Sequence, residues 1–117
     1  MKNNDLKQRT KQFALRVIRM TNSMPKTMAA DVLGKQLLRS STSVAANYRS
    51  ACRGRSKAEF LSKLGIVEEE SDESALWLEL IGESEIMPAR KLISLLAEAN
   101  EITAIMVSSI RTARQRA

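Results

Sequence analysis

The chain of 117 residues has the length of one domain with a single core. Its composition, 44% hydrophobic and 27% charged, excludes a disordered protein, and the abundance of Ala, Leu, Glu, Lys, Arg and Met predicts helices. Apolar runs fall far short of the roughly 20 residues that span a bilayer, and the first residues lack the apolar segment of a secretory signal. We therefore expect a cytoplasmic protein with no membrane role.

The formal net charge of +6 is distributed very unevenly along the chain. Residues 1–66 carry 14 Lys and Arg against three acids, a net +11, whereas residues 67–110 carry two against ten, a net −8. The segment from Arg111 onward adds three arginines. A chain divided in this way can bind an external polyanion, or it can pair its own halves across a subunit boundary. The sequence leaves both interpretations open.

The first two predicted helices cover about residues 5–22 and 26–52. Asn4 or Asp5 is expected to cap the first helix, whose apolar face repeats every three or four residues. Along the second helix, four cations fall within about 80° of each other, opposite the apolar face. These cations are Lys35, Arg39, Arg49 and Arg53. Residues 40–43, Ser-Ser-Thr-Ser, form helices poorly, so a helix break there is the alternative to a continuous helix.

The third predicted helix covers about residues 57–82. Gly54 is expected to end the preceding helix in a left-handed conformation, and Ser56 with Glu59 predicts a capping box for the new helix. This helix is apolar on two sides, which requires two packing partners. We assign its outer side to contact between subunits. The residues of that side are Ile66, Glu69, Glu70, Glu73, Trp77, Leu80 and Ile81.

A fourth helix, about residues 88–114, follows Gly82 and Pro88 and has a continuous apolar face. Four helices joined by short connections predict an all-α fold, arranged as an antiparallel, up-down-up-down four-helix bundle. We expect this bundle to be a single domain over residues 1–117.

No residue pattern predicts catalysis. The chain has no histidine, so the usual zinc and di-iron ligand sets cannot form. The single cysteine, Cys52, can form no disulfide within the chain and has no histidine to activate it. We therefore expect neither an enzyme nor a bound metal or cofactor. Only two Phe, one Tyr and one Trp are present, so we also do not expect recognition by base stacking.

The cations along and after the second helix are the best candidate ligand surface. Lys and Arg on one face bind a phosphate backbone by displacing counterions, without reading sequence. The candidate nucleic-acid-binding residues are Lys35, Arg39, Arg49, Arg53, Arg55 and Lys57. The alternative is a protein–protein scaffold in which these cations pair with Glu69, Glu70 and Glu73 of a neighbouring subunit.

Several segments of the sequence carry a family resemblance. They are Gln36-Leu37-Leu38-Arg39-Ser40-Ser41 with Ser43-Val44-Ala45-Ala46-Asn47-Tyr48, Arg55-Ser56-Lys57-Ala58-Glu59-Phe60, Trp77-Leu78-Glu79-Leu80 and Glu98-Ala99-Asn100-Glu101. With these segments the chain resembles the four-helix-bundle family named for proteins encoded in intervening sequences of bacterial large-subunit ribosomal RNA genes. Many members carry Glu-Gly where this chain has Ser50 and Ala51, so the chain is more similar to the Asn-Tyr-Arg-x-Ala-Cys-Arg subgroup.

The resemblance implies a left-handed up-and-down bundle that assembles into a ring-shaped homo-oligomer, typically a pentamer, and it implies no particular activity. A related basic pentameric bundle serves as an accessory protein in diversity-generating retroelements, and this analogy favours the polyanion interpretation. The expected partners are therefore further copies of the chain, RNA or DNA, and a protein partner. Two hypotheses result: a non-catalytic ring that contacts nucleic acid, and a protein-binding scaffold.

Overall fold

The computed structural model of the chain describes residues 3–116, with side chains from residue 5. This part of the chain contains four α-helices and one short 3₁₀ turn, and it contains no strand. The helices are α1 (Asn3–Asn22), α2 (Met28–Cys52), α3 (Lys57–Glu83) and α4 (Ile93–Gln115), and the 3₁₀ turn is Ala89–Lys91. The four helices form an elongated body of 50 × 20 × 19 Å. The predicted all-α class is confirmed.

The helix ends differ from the predicted ones for local reasons. Thr27 caps α2, because its hydroxyl accepts a hydrogen bond from the Ala30 amide at 3.2 Å, and α2 therefore starts at Met28 instead of residue 26. Helix α4 starts five residues later than predicted, since the residues after Pro88 first form the 3₁₀ turn. The described part of α1 is Asn3–Asn22, so Asn4 and Asp5, the predicted caps, lie within the helix.

The serine-rich segment of α2 is helical throughout, so the predicted alternative of a helix break is wrong. Ser40 and Ser41 are fully buried, and the Ser40 hydroxyl lies 2.8 Å from that of Ser74 on α3. Helix α3 repeats this arrangement with α4, where the Ser71 and Thr103 hydroxyls lie 2.7 Å apart. Small side chains allow close approach of the helices, and each buried hydroxyl finds a partner that offsets its desolvation.

The turn between α2 and α3 corrects the prediction for Gly54. Arg53 ends α2 with a φ of −104°, and none of the described glycines has a positive φ. A Cβ atom at residue 54 would lie 3.1 Å from the Ala51 carbonyl oxygen and 3.4 Å from the Phe60 amide nitrogen. Gly54 is therefore favoured because a side chain would crowd this backbone, and not because of a left-handed conformation. The Ser56 hydroxyl accepts from the Glu59 amide at 3.1 Å, as the predicted cap requires.

The core runs the length of the body between the four helices. Its largest fully buried side chains include Phe13, Leu37, Leu64, Leu78, Ile102 and Met106. Helix α3 packs most extensively, against α2 and α4, while the seam between α1 and α4 is much less extensive than the seams between consecutive helices. Arg9 closes this seam by donating to both carboxylate oxygens of Glu98, at 2.6 and 3.1 Å. The hydrogen bond to Glu98 raises the pKa of Arg9.

Within residues 3–116, α4 is the one helix long and apolar enough to meet the criteria for a membrane span. A core helix of a soluble bundle meets the same criteria, and Leu95, Ile102 and Met106 of α4 are buried against the other helices. The expectation of no membrane role stays a prediction.

Candidate nucleic-acid interface

The cations predicted on α2 all lie on the surface of the body. Lys35, Arg49 and Arg53 are exposed along the outer side of the helix. The Lys35 ammonium lies 3.1 Å from the Asp31 carboxylate one turn earlier, and both side chains are largely solvated. Such an exposed pair contributes little to stability. Lys35 therefore stays accessible, although its charge is partly compensated.

Arg39 is engaged by acids of the same chain. Its guanidinium donates to both carboxylate oxygens of Glu70, at 2.9 and 3.3 Å, and also bonds Glu73. The hydrogen bond to Glu70 is the largest cause of a raised pKa at Arg39. The sequence had placed Arg39 on the nucleic-acid surface and the two glutamates on a subunit interface. The structure instead joins these three residues in one intrachain network, which we call the Arg39 network.

The remaining predicted cations gather where α2 ends and α3 begins. Arg53, Arg55 and Lys57 are exposed there. The carboxyl end of α4 lies at the same end of the body. There the Lys57 ammonium donates a hydrogen bond to the main-chain carbonyl of Arg116. Arg114 is exposed in the last turn of α4. We call these five residues, Arg53, Arg55, Lys57, Arg114 and Arg116, the basic end.

The cations of the basic end are unpaired among the described residues, although Glu68 borders the same cavity as Arg114. None of its five cations forms an ion pair there, in contrast to Arg9 and Arg39. Glu59, exposed in the first turn of α3, is the only acid between residues 53 and 60. The first turn of α3 also carries the positive end of a helix dipole. The field at this end of the body therefore favours an anion.

The candidate surface predicted from the sequence does not include the arginines of α4. Arg114 and Arg116 were noted only as part of the uneven charge distribution. The signal was nevertheless present, since helices of similar length joined by short connections bring the end of a fourth helix near the start of the third.

The outer side of α3 agrees only partly with the predicted subunit interface. Ile81 is fully buried in the core, so its assignment to the interface is wrong. Ile66 and Trp77 are half-buried, and Trp77 packs against the core with a buried indole N–H that has no hydrogen-bond partner in residues 5–116. Leu80 is 40% exposed, and its neighbour Leu76, which was not predicted, is 46% exposed.

The exposed α3 surface is therefore acidic and apolar. Glu69, Leu76 and Leu80 form what we call the α3 outer face. A matching surface exists on α2, where Met28 is 84% and Val32 is 53% exposed, one turn apart and one turn before Lys35. We call Met28, Val32 and Lys35 the α2 outer face. The sequence prediction did not identify Met28 or Val32, although helical spacing places them on the basic stripe.

The described residues bring no three His, Cys, Asp or Glu side chains together in a way that could hold a metal ion. Cys52 is half-buried, and a hydrogen bond links it to Tyr48. Burial, and secondly this bond, raise the pKa of the Tyr48 phenol. The expectations of no catalysis and no cofactor stay predictions.

The fold and the surface define a small four-helix protein with segregated charge. The family described as 23S rRNA-intervening sequence protein matches residues 2–108, and the chain belongs to this family, as the sequence resemblance predicts. A similar solved structure is that of a protein of unknown function from the S23 ribosomal protein family of Bacteroides thetaiotaomicron VPI-5482. It is 33% identical, with a TM-score of 0.87 over 95% of this chain and 99% of that chain. No curated protein matches the chain.

Proposed function

We propose that this chain is a non-catalytic protein that assembles into a ring-shaped homo-oligomer and contacts RNA or DNA, independently of sequence, through its basic end. The proposed setting is the bacterial cytoplasm. The observation that carries the proposal is the set of five exposed cations at one end of the body, none of them paired with an acid of the described residues. Arg49, exposed one turn earlier on α2, extends this surface along the helix.

Phosphate recognition explains why these cations are left unpaired. Each Lys or Arg that neutralises a phosphate releases a condensed counterion, and this release supplies most of sequence-independent affinity. Arg39 does not take part, because Glu70 and Glu73 already neutralise its charge. The proposed contact surface is thus smaller than the predicted stripe and lies at one end of the helices.

Contacts between helices support an up-down-up-down order of the bundle. In an antiparallel pair, residues that advance along one helix meet residues that recede along the other. The observed pairs have this pattern: Lys57 with Arg116 and Ser71 with Thr103 between α3 and α4, and Arg9 with Glu98 and Arg16 with Ser94 between α1 and α4.

The two outer faces support assembly into a ring. The α2 outer face offers two apolar side chains beside a cation, and the α3 outer face offers two beside an anion, so the two faces are complementary. Contact between different surfaces of identical subunits closes a ring when the rotation allows it. Adjacent helices of a bundle face outward in directions that differ by roughly a right angle, which suits a ring of about four or five copies. The resemblance implies a pentamer.

The second candidate function is a protein–protein scaffold whose charges pair between subunits. The exposure of Met28, Val32, Leu76 and Leu80 favours it, because apolar surface of this kind marks protein contacts. Pairing of a neighbour's cations with Glu70 and Glu73 is not required, since the Arg39 network already occupies them. In this function the basic end would bind an acidic protein.

Binding assays on the purified protein distinguish the two functions. We expect fluorescence anisotropy to show binding of mixed-sequence RNA and of duplex DNA at 50 mM salt, weakening steeply as salt is raised. Absence of binding to both at 50 mM salt discards the nucleic-acid function and leaves the scaffold. Light scattering on nuclease-treated protein tests the ring separately, and a monomer mass contradicts it.

A further inference from the structure

The basic end contains a cavity of about 380 Å³ between the α2–α3 turn and the end of α4. This volume is comparable with that of small-molecule sites, which start at about 300 Å³. Cys52, Phe60 and Ala113 line the cavity on its apolar side, and two cations of the basic end, Lys57 and Arg116, line it as well. An aromatic ring and two cations therefore border one concave site.

Phe60 also borders a second cavity, of about 440 Å³, that continues along α4. Tyr48, Leu64 and Ile105 belong to its apolar lining, Ser108 and Ser109 add hydroxyl groups, and Glu101 adds a carboxylate. Phe60 is half-buried, whereas Tyr48 and Leu64 are buried. Phe60 is therefore the aromatic side chain that both cavities share, and it is partly accessible from the solvent side.

We infer that the first cavity, which Phe60 lines together with Lys57 and Arg116, takes an unstacked base of single-stranded RNA or DNA. The two cations bind the adjacent phosphate. This departs from the expectation of no base stacking, which rested on the small number of aromatic residues, because the structure places one half-buried ring beside two cations. Stacking on a single aromatic side chain is tolerant of sequence, and cations next to the ring track the backbone. A duplex cannot use such a cavity, because its bases are already stacked and paired. This inference rests on the proposed nucleic-acid function, and it names the form of nucleic acid that the basic end prefers.

The placement of the site follows from the fold around Gly54. Phe60 lies one helical turn after Ser56 and Lys57 at the start of α3, and the turn at Gly54 passes close to its backbone, so all four residues line one cavity. The amino-terminal turn of α3 adds the positive end of its dipole to the charge of the two cations. A base and its phosphate thus meet an apolar wall and a positive rim of the same cavity.

The test compares a labelled 12-nucleotide single strand of mixed sequence with its own duplex, in fluorescence anisotropy at 50 mM salt. The variants are Phe60→Leu, which removes the ring at similar volume, and Phe60→Tyr, which keeps it. We expect Phe60→Leu to weaken single-strand binding about tenfold and duplex binding less than twofold, and Phe60→Tyr to retain single-strand binding. Circular dichroism checks that each variant is folded.

The outcomes separate the inference from the proposed function. If the wild type binds neither nucleic acid, the proposed function fails, and the inference fails with it. If both are bound and Phe60→Leu weakens neither, or weakens both equally, the cavity takes no base and the proposed function stands. If Phe60→Leu leaves binding unchanged and lowers the mass in light scattering, a second copy of the chain occupies the cavity, which overturns the inference.

Discussion

Exchanging Arg39 or Arg53 for Gln removes the same charge from the same helix, but the structure predicts opposite consequences. Arg39 is held by Glu70 and Glu73, with its side chain 49% exposed, whereas Arg53 is exposed at the basic end without an acid partner in residues 5–116. We expect Arg39→Gln to lower stability and leave nucleic-acid binding unchanged. We expect Arg53→Gln to weaken binding and leave stability unchanged.

The size of the stability loss follows from the exposure of the Arg39 network. An exposed ion pair contributes about 0.2 to 1 kcal/mol after solvent screening. Arg39 makes two such pairs, and its loss also leaves Glu70, whose side chain is only 16% exposed, next to Glu73 without a cation. The free energy of unfolding should fall by about 1 to 2 kcal/mol, which lowers Tm by roughly 4 °C per kcal/mol in a chain of this length. Arg53→Gln should change it by less than about 0.5 kcal/mol.

The assays are thermal unfolding at a fixed protomer concentration and anisotropy titrations with duplex DNA at several salt concentrations. If Arg53 contacts a phosphate, Arg53→Gln should reduce the slope of log K against log salt by about 0.9, and Arg39→Gln should not change it. Higher salt should also shrink the Tm difference between Arg39→Gln and wild type. If Arg39→Gln weakens binding as much as Arg53→Gln does, Arg39 contacts the nucleic acid, and its assignment to a purely intrachain network is refuted.

Three further predictions concern the oligomer, the core and the response to pH. Leu80→Glu adds a charge to the α3 outer face and should lower the oligomer mass in light scattering while helicity is retained; an unchanged mass would remove Leu80 from the interface. Ser74→Val removes the hydroxyl that meets Ser40 and adds volume to a fully buried site. Denaturant titration should show that the free energy of unfolding falls by about 1 to 3 kcal/mol. An unchanged free energy of unfolding would contradict close packing at Ser74. Because the pKa of Tyr48 is raised in the folded chain, this tyrosine ionises first in the unfolded chain as pH passes about 10. The free energy of unfolding should therefore fall above pH 10 in the wild type and fall less in Tyr48→Phe. Equal pH profiles of stability for the two proteins would contradict burial of the phenol.

The all-α class and the approximate positions of the four helices could be predicted, because the spacing of hydrophobic residues outweighs local helix propensity. Residues 40–43 show this, since a run of poor helix formers lies in the middle of α2 and is helical through packing and hydroxyl pairing. Gly54 could not be predicted correctly, because the space around it is set by the Ala51 carbonyl and the Phe60 backbone, which the turn between α2 and α3 brings together.

The surface was harder to predict than the core. Periodicity around one helix placed Ile81 on the outer side of α3, yet the packing of α3 between neighbours buries it completely. Periodicity also placed Arg39 on the outer side of α2 but could not predict its partners. The pairing of Arg39 with Glu70 and Glu73 depends on the axial register of α2 against α3. The basic end could not be predicted in full for a similar reason. Arg116 and Lys57 are far apart in the sequence, and the packing of α4 against α3 brings them together.

The most direct test of the basic end uses two matched double variants in salt-dependent binding. Arg55→Gln with Lys57→Gln removes one arginine and one lysine from the basic end. Arg90→Gln with Lys91→Gln removes the same pair from the exposed 3₁₀ turn at the far end of α3, about 40 Å away. We predict that the first variant lowers the slope of log K against log salt for duplex DNA by about 1.8, and that the second leaves it unchanged. Equal slopes for both variants and the wild type would contradict the account.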